Sequence, residues 1–410
     1  MKLLLLFIGL FFLGCSSQKL RTKKTVKVYH GSGMTSIKKF QYYKRLYEKK
    51  NPDINIENIR VDGQYYDKLQ TLVASGAEDI DVLWLGLGFP IFAEKNILCD
   101  LSDILKKNNF NKEMYYKNIM EWYSYKDRIY GLPFALTPAV FIYNKNIFEQ
   151  NGMTHPQADW TYSEMKNLAI KLTRKDTVGN IGTIWGVGAL DPFSCLLSFG
   201  KGITDENFKK CLLSDREAYL AMQFMHDMIF RLKIQPKKGD MNDQKAHQIF
   251  ANNKIAMTVG HTWDMQQLLE IKNITWDIAN HPKEKLSRNW ISTEGLSVYK
   301  NSRKKEDAVK YILFVTGEEM QKKFINENCP SIINLLSDNE LHKKTIYNWK
   351  ILPSYIENGV TEPKTAKVFE IKSKFTMMIE EIMTKENSPK QIQFILEKYT
   401  KIINEVLNSD

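Results

Sequence analysis

From Thr25 to Leu85 the chain alternates between β-branched runs and stretches of helical period, and this most restricts what it can fold into. TVKVYH (25–30) reads as a strand, and GSGMTS follows it as a turn. Ile37, Phe40, Tyr43 and Tyr47 then recur at helical spacing until Asn51-Pro52 stops the helix. INIENIR (54–60) is a second strand. Tyr65, Leu69, Leu72 and Val73 mark a second helix closed by Gly76, and IDVLWL (80–85) reads as a buried third strand. Alternation of this kind predicts βαβ units around a mostly parallel sheet. In open α/β sheets, ligands sit at the carboxyl ends of strands, which singles out the loops HGSGMTS and WLGLGFP.

Further along, IYGLPFALTPAVFIYNKNIF (129–148) is too apolar for a surface loop. WTYSEMKNLAIKLT (160–173) carries Thr161 as an N-cap with Glu164 three residues on, the capping-box spacing. AYLAMQFMHDMIF (218–230) and AVKYILFVT (308–316) read as helices, as does Phe369 to Leu407 with an interruption around Asn387–Pro389.

The amino terminus, MKLLLLFIGLFFLGCSSQK, is a different kind of segment. Lys2 precedes an apolar run from Leu3 to Leu13, with Gly14 just before Cys15. The run is shorter than the ~20 residues needed to cross a bilayer, so residues 1–14 read as a signal peptide. The placement of Cys15 resembles a bacterial lipobox, although Phe12 stands where leucine is preferred. That resemblance implies a lipidated cysteine, a polar tether over 15–24, and an exported protein anchored to the cell membrane on its periplasmic or extracellular side. About 385 residues remain behind it, enough for two domains rather than one core.

The net charge is +11, but the lysines are scattered among glutamates, as in KKEDAVK and EEMQKKF, and form no arginine-rich stripe. This is a solvated basic surface and not a nucleic-acid footprint. Cys99, Cys195, Cys211 and Cys329 form no C-x-x-C pair, and the seven histidines never fall at metal-ligand spacing, so no metal or other cofactor is called for. A Cys195–Cys211 disulfide stays open in an exported chain. Catalytic signatures fare no better. Three S-x-x-K matches and Ser337-Asp338-Asn339 lack the downstream K-T-G, and each G-x-G lacks its third glycine. Paired carboxylates of a glycan hydrolase leave no spacing signature, so a secreted hydrolase stays open as an alternative.

Several blocks together resemble the bacterial extracellular solute-binding proteins of ABC importers, a group that includes sugar-binding lipoproteins. They are TVKVYHGSG; YYDKLQTLVASGAEDIDVLWLGLGFPIFAEKNILCDLSDIL; IYGLPFALTPAVFIYNKNIFEQNGM with DWTYSEMKNLAIKLT; HQIFANNKIAMTVGHTWDM, where Asn253 replaces a glycine; and GLSVYKNSRKKEDAVKYILFVTGEEMQKKF. The resemblance covers nearly the whole chain behind the leader. It implies a type II-like periplasmic-binding-protein fold: two α/β lobes, each a mostly parallel sheet flanked by helices, with the hinge crossed three times. The crossings fall near Phe134–Thr137, Ala279–Pro282 and Asn326–Pro330. One lobe would take 25–134 with 282–326, and the other 135–281 with 327–410.

The function implied is capture of a small solute, foremost a sugar or oligosaccharide, by hinge closure, and its delivery to ABC permease subunits with their ATPase. A monomer is expected, and no enzyme; a surface adhesin on the same fold is the other alternative. The residues the resemblance places at the solute are Trp263 and Trp84 as stacking surfaces, Asp264 as a hydroxyl acceptor or helix cap, His30 and Ser32 in the first strand's loop, and Trp290 with Glu294 leading into GLSVY. Trp84 could equally fill the core, and Trp185, Phe193 and Phe369 are weaker candidates. Leu87 and Thr137 stand where maltodextrin binders carry acidic residues, which argues against maltodextrin itself.

Overall fold

The structure is a computed structural model that describes residues 23–409 apart from 32–33, 78, 177–181, 242–243, 326 and 343–346; the side chains of 34–36, 263, 339 and 342 are also outside it. The leader, Cys15, the tether up to residue 22, Ser32 and Asn326 therefore lie outside the described residues. Among the described residues no helix is long and apolar enough to cross a membrane.

The opening alternation folds as its pattern predicts. Strand β1 (Lys24–Gly31) is flanked in parallel by β2 (Ile54–Val61) and β3 (Val82–Leu85). The intervening helices Met34–Lys50 and Tyr65–Ala74 bury Phe40, Tyr43, Tyr47, Tyr65 and Leu69. Gly76, at φ 73°, takes the left-handed conformation that ends the second of these helices. A small hairpin, β4 (Ser124–Tyr125) and β5 (Arg128–Ile129), turns through Lys126 and Asp127, both at positive φ.

Two longer strands complete the first sheet. β6 (Gly131–Pro138) and β10 (Asn289–Val298) run antiparallel to each other, and β10 also lies antiparallel to β3, giving the order β2-β1-β3-β10-β6. The two-residue β11 (Gly359–Val360) joins β10 in parallel at Asn289–Trp290.

The second sheet is β7 (Val140–Asn144) between β8 (Met257–Gly260) and β9 (Trp276–Ala279), and both pairings are antiparallel. Here the expectation of a mostly parallel sheet in each lobe gives way. β7 follows β6 after the single residue Ala139, while β8 and β9 each return antiparallel beside it from helical segments. Short buried runs such as MTVG and WDIA look the same in sequence whichever way they run.

The chain passes between the sheets at Ala139, whose N–H donates to Trp290 O at 3.2 Å. It passes again between Ala279 and Asn289, the ends of β9 and β10. Residues 329–331 are held to β6 by the Leu136 N–H to Cys329 O bond (2.8 Å) and by the Ser331 hydroxyl donating to Pro133 O (3.0 Å). The helix Tyr162–Leu172 opens on the full Thr161/Glu164 capping box. The C-terminal pattern forms helices Val368–Met383 and Pro389–Asn408, the second capped by Ser388 and Gln391. All four described cysteines are free thiols, so no disulfide joins Cys195 to Cys211. Burial pushes the Cys211 thiol up to about 11 and the Cys195 thiol higher still, which leaves both inert near neutral pH.

Candidate functional site

Strand β10 carries the site: it belongs to the first sheet, and its Trp290 meets His261, which follows β8 of the second. Its burial alternates: Ile291 and Thr293 are buried, while Trp290, Ser292 and Glu294 are half-buried on the opposite face. A strand repeats every second residue, so these three line one surface.

At the end of this surface near β3 stands Trp84, half-buried, with its partner Leu296 across the ladder. Gly31 exists here for contact: a Cβ on it would come within 2.7 Å of the Trp84 ring. Tyr65 packs on the indole from the side at 5.4 Å. Burial pushes the Glu294 carboxyl up, against the pull of the Lys39 ammonium and the Trp84 indole N–H. Lys39 is itself buried, donates to Asn328 Oδ1 at 2.6 Å, and is pushed down by burial. Nearby, the Tyr66 hydroxyl accepts from Gly86 N–H at 3.2 Å, and its ring lies 5.0 Å from Phe369 on the helix Val368–Met383. Gly88 has no room for a side chain under that ring, where a Cβ would approach to 2.3 Å.

At the other end stands Trp290. Its backbone N–H donates to Ser194 Oγ at 2.9 Å, which ties β10 to the helix Pro192–Ser198. The His261 ring meets the indole edge-on at 5.1 Å, and the Lys372 ammonium lies 5.0 Å from its centroid. The Trp290 indole N–H is buried without a hydrogen-bond partner among the described residues. Lys372 also pairs with the buried Glu362 at 2.8 Å. Asp191 caps the helix Pro192–Ser198 by accepting from Ser194 N–H at 2.6 Å; burial raises its carboxyl, against the pull of Ser194, His261 and Lys372.

These groups border a cavity of about 260 Å³ lined by Asp191, Phe193, Trp290, Glu362, Lys372 and Phe375, among others. A second cavity of about 620 Å³ adjoins it, sharing Phe193, Ile203, Glu362 and Pro363 and reaching Asn118, Trp122 and Arg288. Aromatic walls with a few convergent polar groups are what a small-molecule site requires. Among the described residues no group of three or more His, Cys, Asp or Glu could hold a metal ion.

The residues singled out in the sequence divide accordingly. Trp84 and Glu294 come together, and Trp290 lies on the same strand face. His30 does not join them: it is buried, stacked on Phe40 at 4.5 Å, with Nδ1 2.8 Å from Gly31 O. Asp264 serves its own helix. Its carboxylate accepts from His261 N–H (3.0 Å) and contacts the rings of His247 (2.9 Å) and His261 (3.4 Å). Burial alone would raise this carboxyl, but those hydrogen bonds outweigh it and hold it well below the usual range. Trp263 sits in the first turn of the same helix, Thr262–Leu269; its side chain, like Ser32, is outside the described residues. Phe369 faces Tyr66, Phe193 lines both cavities, and Trp185 is core. Asp191, Glu362, Lys372, Tyr66 and Lys39 were missed. Asp191-Pro192 was readable as a helix start, but nothing local marks the other four.

His281, buried just after β9, makes a pH prediction. It is buried against Phe141 and Tyr355, and neither ring nitrogen has a hydrogen-bond partner among the described residues. Burial pushes its imidazole down to about 3. The unfolded chain takes up this proton near the ordinary value of about 6.5. Between those values only the unfolded chain is protonated, so stability is full above about pH 6.5 and falls as pH falls, by up to about 1.4 kcal/mol per pH unit. His281→Phe is expected to flatten this loss between about pH 6.5 and 4.5 in urea unfolding. An unchanged slope would count against the assignment.

Comparison with known proteins places this geometry. The family model for bacterial extracellular solute-binding proteins matches residues 31–322. A candidate binding protein of Brucella abortus (strain 2308) is 24% identical over 299 residues, 70% of each chain. The maltotriose-binding protein of Pyrococcus abyssi is 21% identical over 388 residues, 92% of this chain and 81% of that one. An ABC substrate-binding protein of Listeria monocytogenes, solved in complex with cycloalternan, superposes with a TM-score of 0.82 at 23% identity, covering 95% of this chain and all of that one. The fold is thus that of the two-lobed periplasmic binding proteins, and with the family model spanning most of its length, the chain belongs to the bacterial extracellular solute-binding proteins.

Proposed function

We propose that this chain is the substrate-binding lipoprotein of an ABC importer and that it captures a neutral sugar or oligosaccharide between its two sheets. The observation that carries this reading is the half-buried face Trp290-Ser292-Glu294 on β10, which offers indole surface and hydrogen-bonding groups side by side. Sugars need both: apolar C–H faces stack on indole, and hydroxyls exchange hydrogen bonds with carboxylates. The names of the Pyrococcus and Listeria relatives, which bind maltotriose and cycloalternan, support a carbohydrate. Leu87 and Thr137 in place of acidic residues argue for a solute other than maltodextrin.

On this reading the lobes divide near Ala139 and Asn280–Arg288, where the chain passes between the sheets, with a third crossing near Cys329. Trp84, Glu294 and Trp290 share the first sheet; closing the lobes brings groups of the other side, such as Asp191 and Phe193, onto that surface, so only the closed form gains contacts from both sides, and the solute shifts the population toward it. The monomer then presents its loaded form to the permease.

A thermal-shift panel on residues 16–410 tests the reading. Free solute at about 100 times its dissociation constant stabilises by roughly 2.7 kcal/mol, so one class of sugar should raise the melting temperature clearly. Silence across sugars and sugar alcohols, or hydrolysis of a glycan in the panel, overturns it. The anchor has its own test. Cys15→Ala is expected to move the protein from the membrane fraction to the soluble exported fraction; a variant that stays with the membrane contradicts lipidation at Cys15.

A further inference from the structure

Lys372 occupies a place with the chemistry of a cation site. Its ammonium lies 5.0 Å from the centroid of the Trp290 ring and 2.8 Å from Glu362 Oε1. Asp191 is close enough for its carboxyl to feel the same positive charge. An indole face backed by carboxylates is the usual receptacle for an ammonium group, and here the chain fills it with its own. Glu362 is 6% exposed, and Lys372 is its ion-pair partner. A buried carboxylate left without a partner is strongly unfavourable and takes up any cation that fits. The Lys372 side chain is 43% exposed, so its head group stands at the boundary between cavity and solvent, where an incoming solute meets it.

We propose that Lys372 sets the specificity of the cleft: by occupying the place between Trp290, Glu362 and Asp191 it excludes cationic solutes such as polyamines and quaternary ammonium compounds, and it leaves the remaining indole surface and N–H of Trp290 to neutral ones. This rests on the cleft being the solute site. A cation would meet the fixed ammonium as a like charge and find the carboxylates already neutralised, whereas a neutral polyol carries no such penalty.

Lys372→Met removes the ammonium and keeps the length of the side chain. Tetramethylammonium is the probe, because it carries charge and apolar surface without hydrogen-bond donors. By calorimetry the unaltered protein is expected to show no binding up to about 20 mM, while Lys372→Met binds at least about tenfold more tightly than that limit, and the further change Glu362→Gln cancels the gain. Lys372→Gln, whose amide still donates to Glu362, is expected to gain binding in the same way and serves if the Met variant does not fold. Tetramethylammonium binding by the unaltered protein, or a folded Lys372 variant with no gain, overturns the proposal. The sugar panel on the unaltered protein is read separately. A gain of cation binding with no sugar shift would sink the carbohydrate reading and keep the cation site; a sugar shift with no gain would do the reverse.

Discussion

Trp290→Ala is expected to weaken binding of the solute identified by thermal shift by about 50-fold while leaving the protein folded. The indole lines the smaller cavity, and its N–H is buried without a partner among the described residues. Covering about 100 Å² of its surface with solute at ~25 cal/mol per Å² corresponds to roughly 2.5 kcal/mol, and a lost hydrogen bond would add to that. Folding should survive because Trp290 is only half-buried and its main-chain bonds to Ser194 and Ala139 do not involve the side chain. Titration calorimetry against the unaltered protein checks it. Unchanged affinity would mean that the solute lies elsewhere along β10, toward Trp84 and Glu294.

Phe141→Ala should cost about 3–5 kcal/mol of stability and act on the second sheet. Phe141 is completely buried in its central strand, paired with Val259 on one side and Ala279 on the other. Its ring meets Trp160 edge-on at 5.2 Å and His281 at 5.8 Å. Truncation leaves a void that flanking strands, held by main-chain bonds, cannot collapse into. Scanning calorimetry should show the transition moved down and broadened as the second lobe melts ahead of the first. A loss under about 1 kcal/mol in urea would show that the strand tolerates the void.

How far each feature could be read in the sequence follows from the range of the interactions that make it. The capping box at Thr161 and Glu164 and the break at Asn387–Pro389 depend on neighbours a few residues away, and both stand where the pattern put them. The helices and strands of the first βαβ units also follow from local period. His30 and Asp264 show the limit. Their residue types suit a solute site, but whether an imidazole or carboxylate faces a ligand depends on what else reaches it. Phe40 covers the first, and His247 and His261 engage the second. Lys372 shows the converse, since nothing in KVFEIKSKF marks one lysine as the group that lies over Trp290.

By itself, then, the sequence determined the apolar run Leu3–Leu13 ahead of Cys15, the first βαβ units, the family and the aromatic supply, because these rest on composition, period and short-range hydrogen bonding. Tertiary structure alone decided the antiparallel direction of the second sheet and the face shared by Trp290, Ser292 and Glu294. It also decided which charged groups reach that face, with Lys39 beside Glu294 and Lys372 between Trp290 and Glu362. The reason is physical: strand direction and charge pairing are settled by contacts between segments far apart in the chain, and the free energy of a buried charge depends on every group that surrounds it.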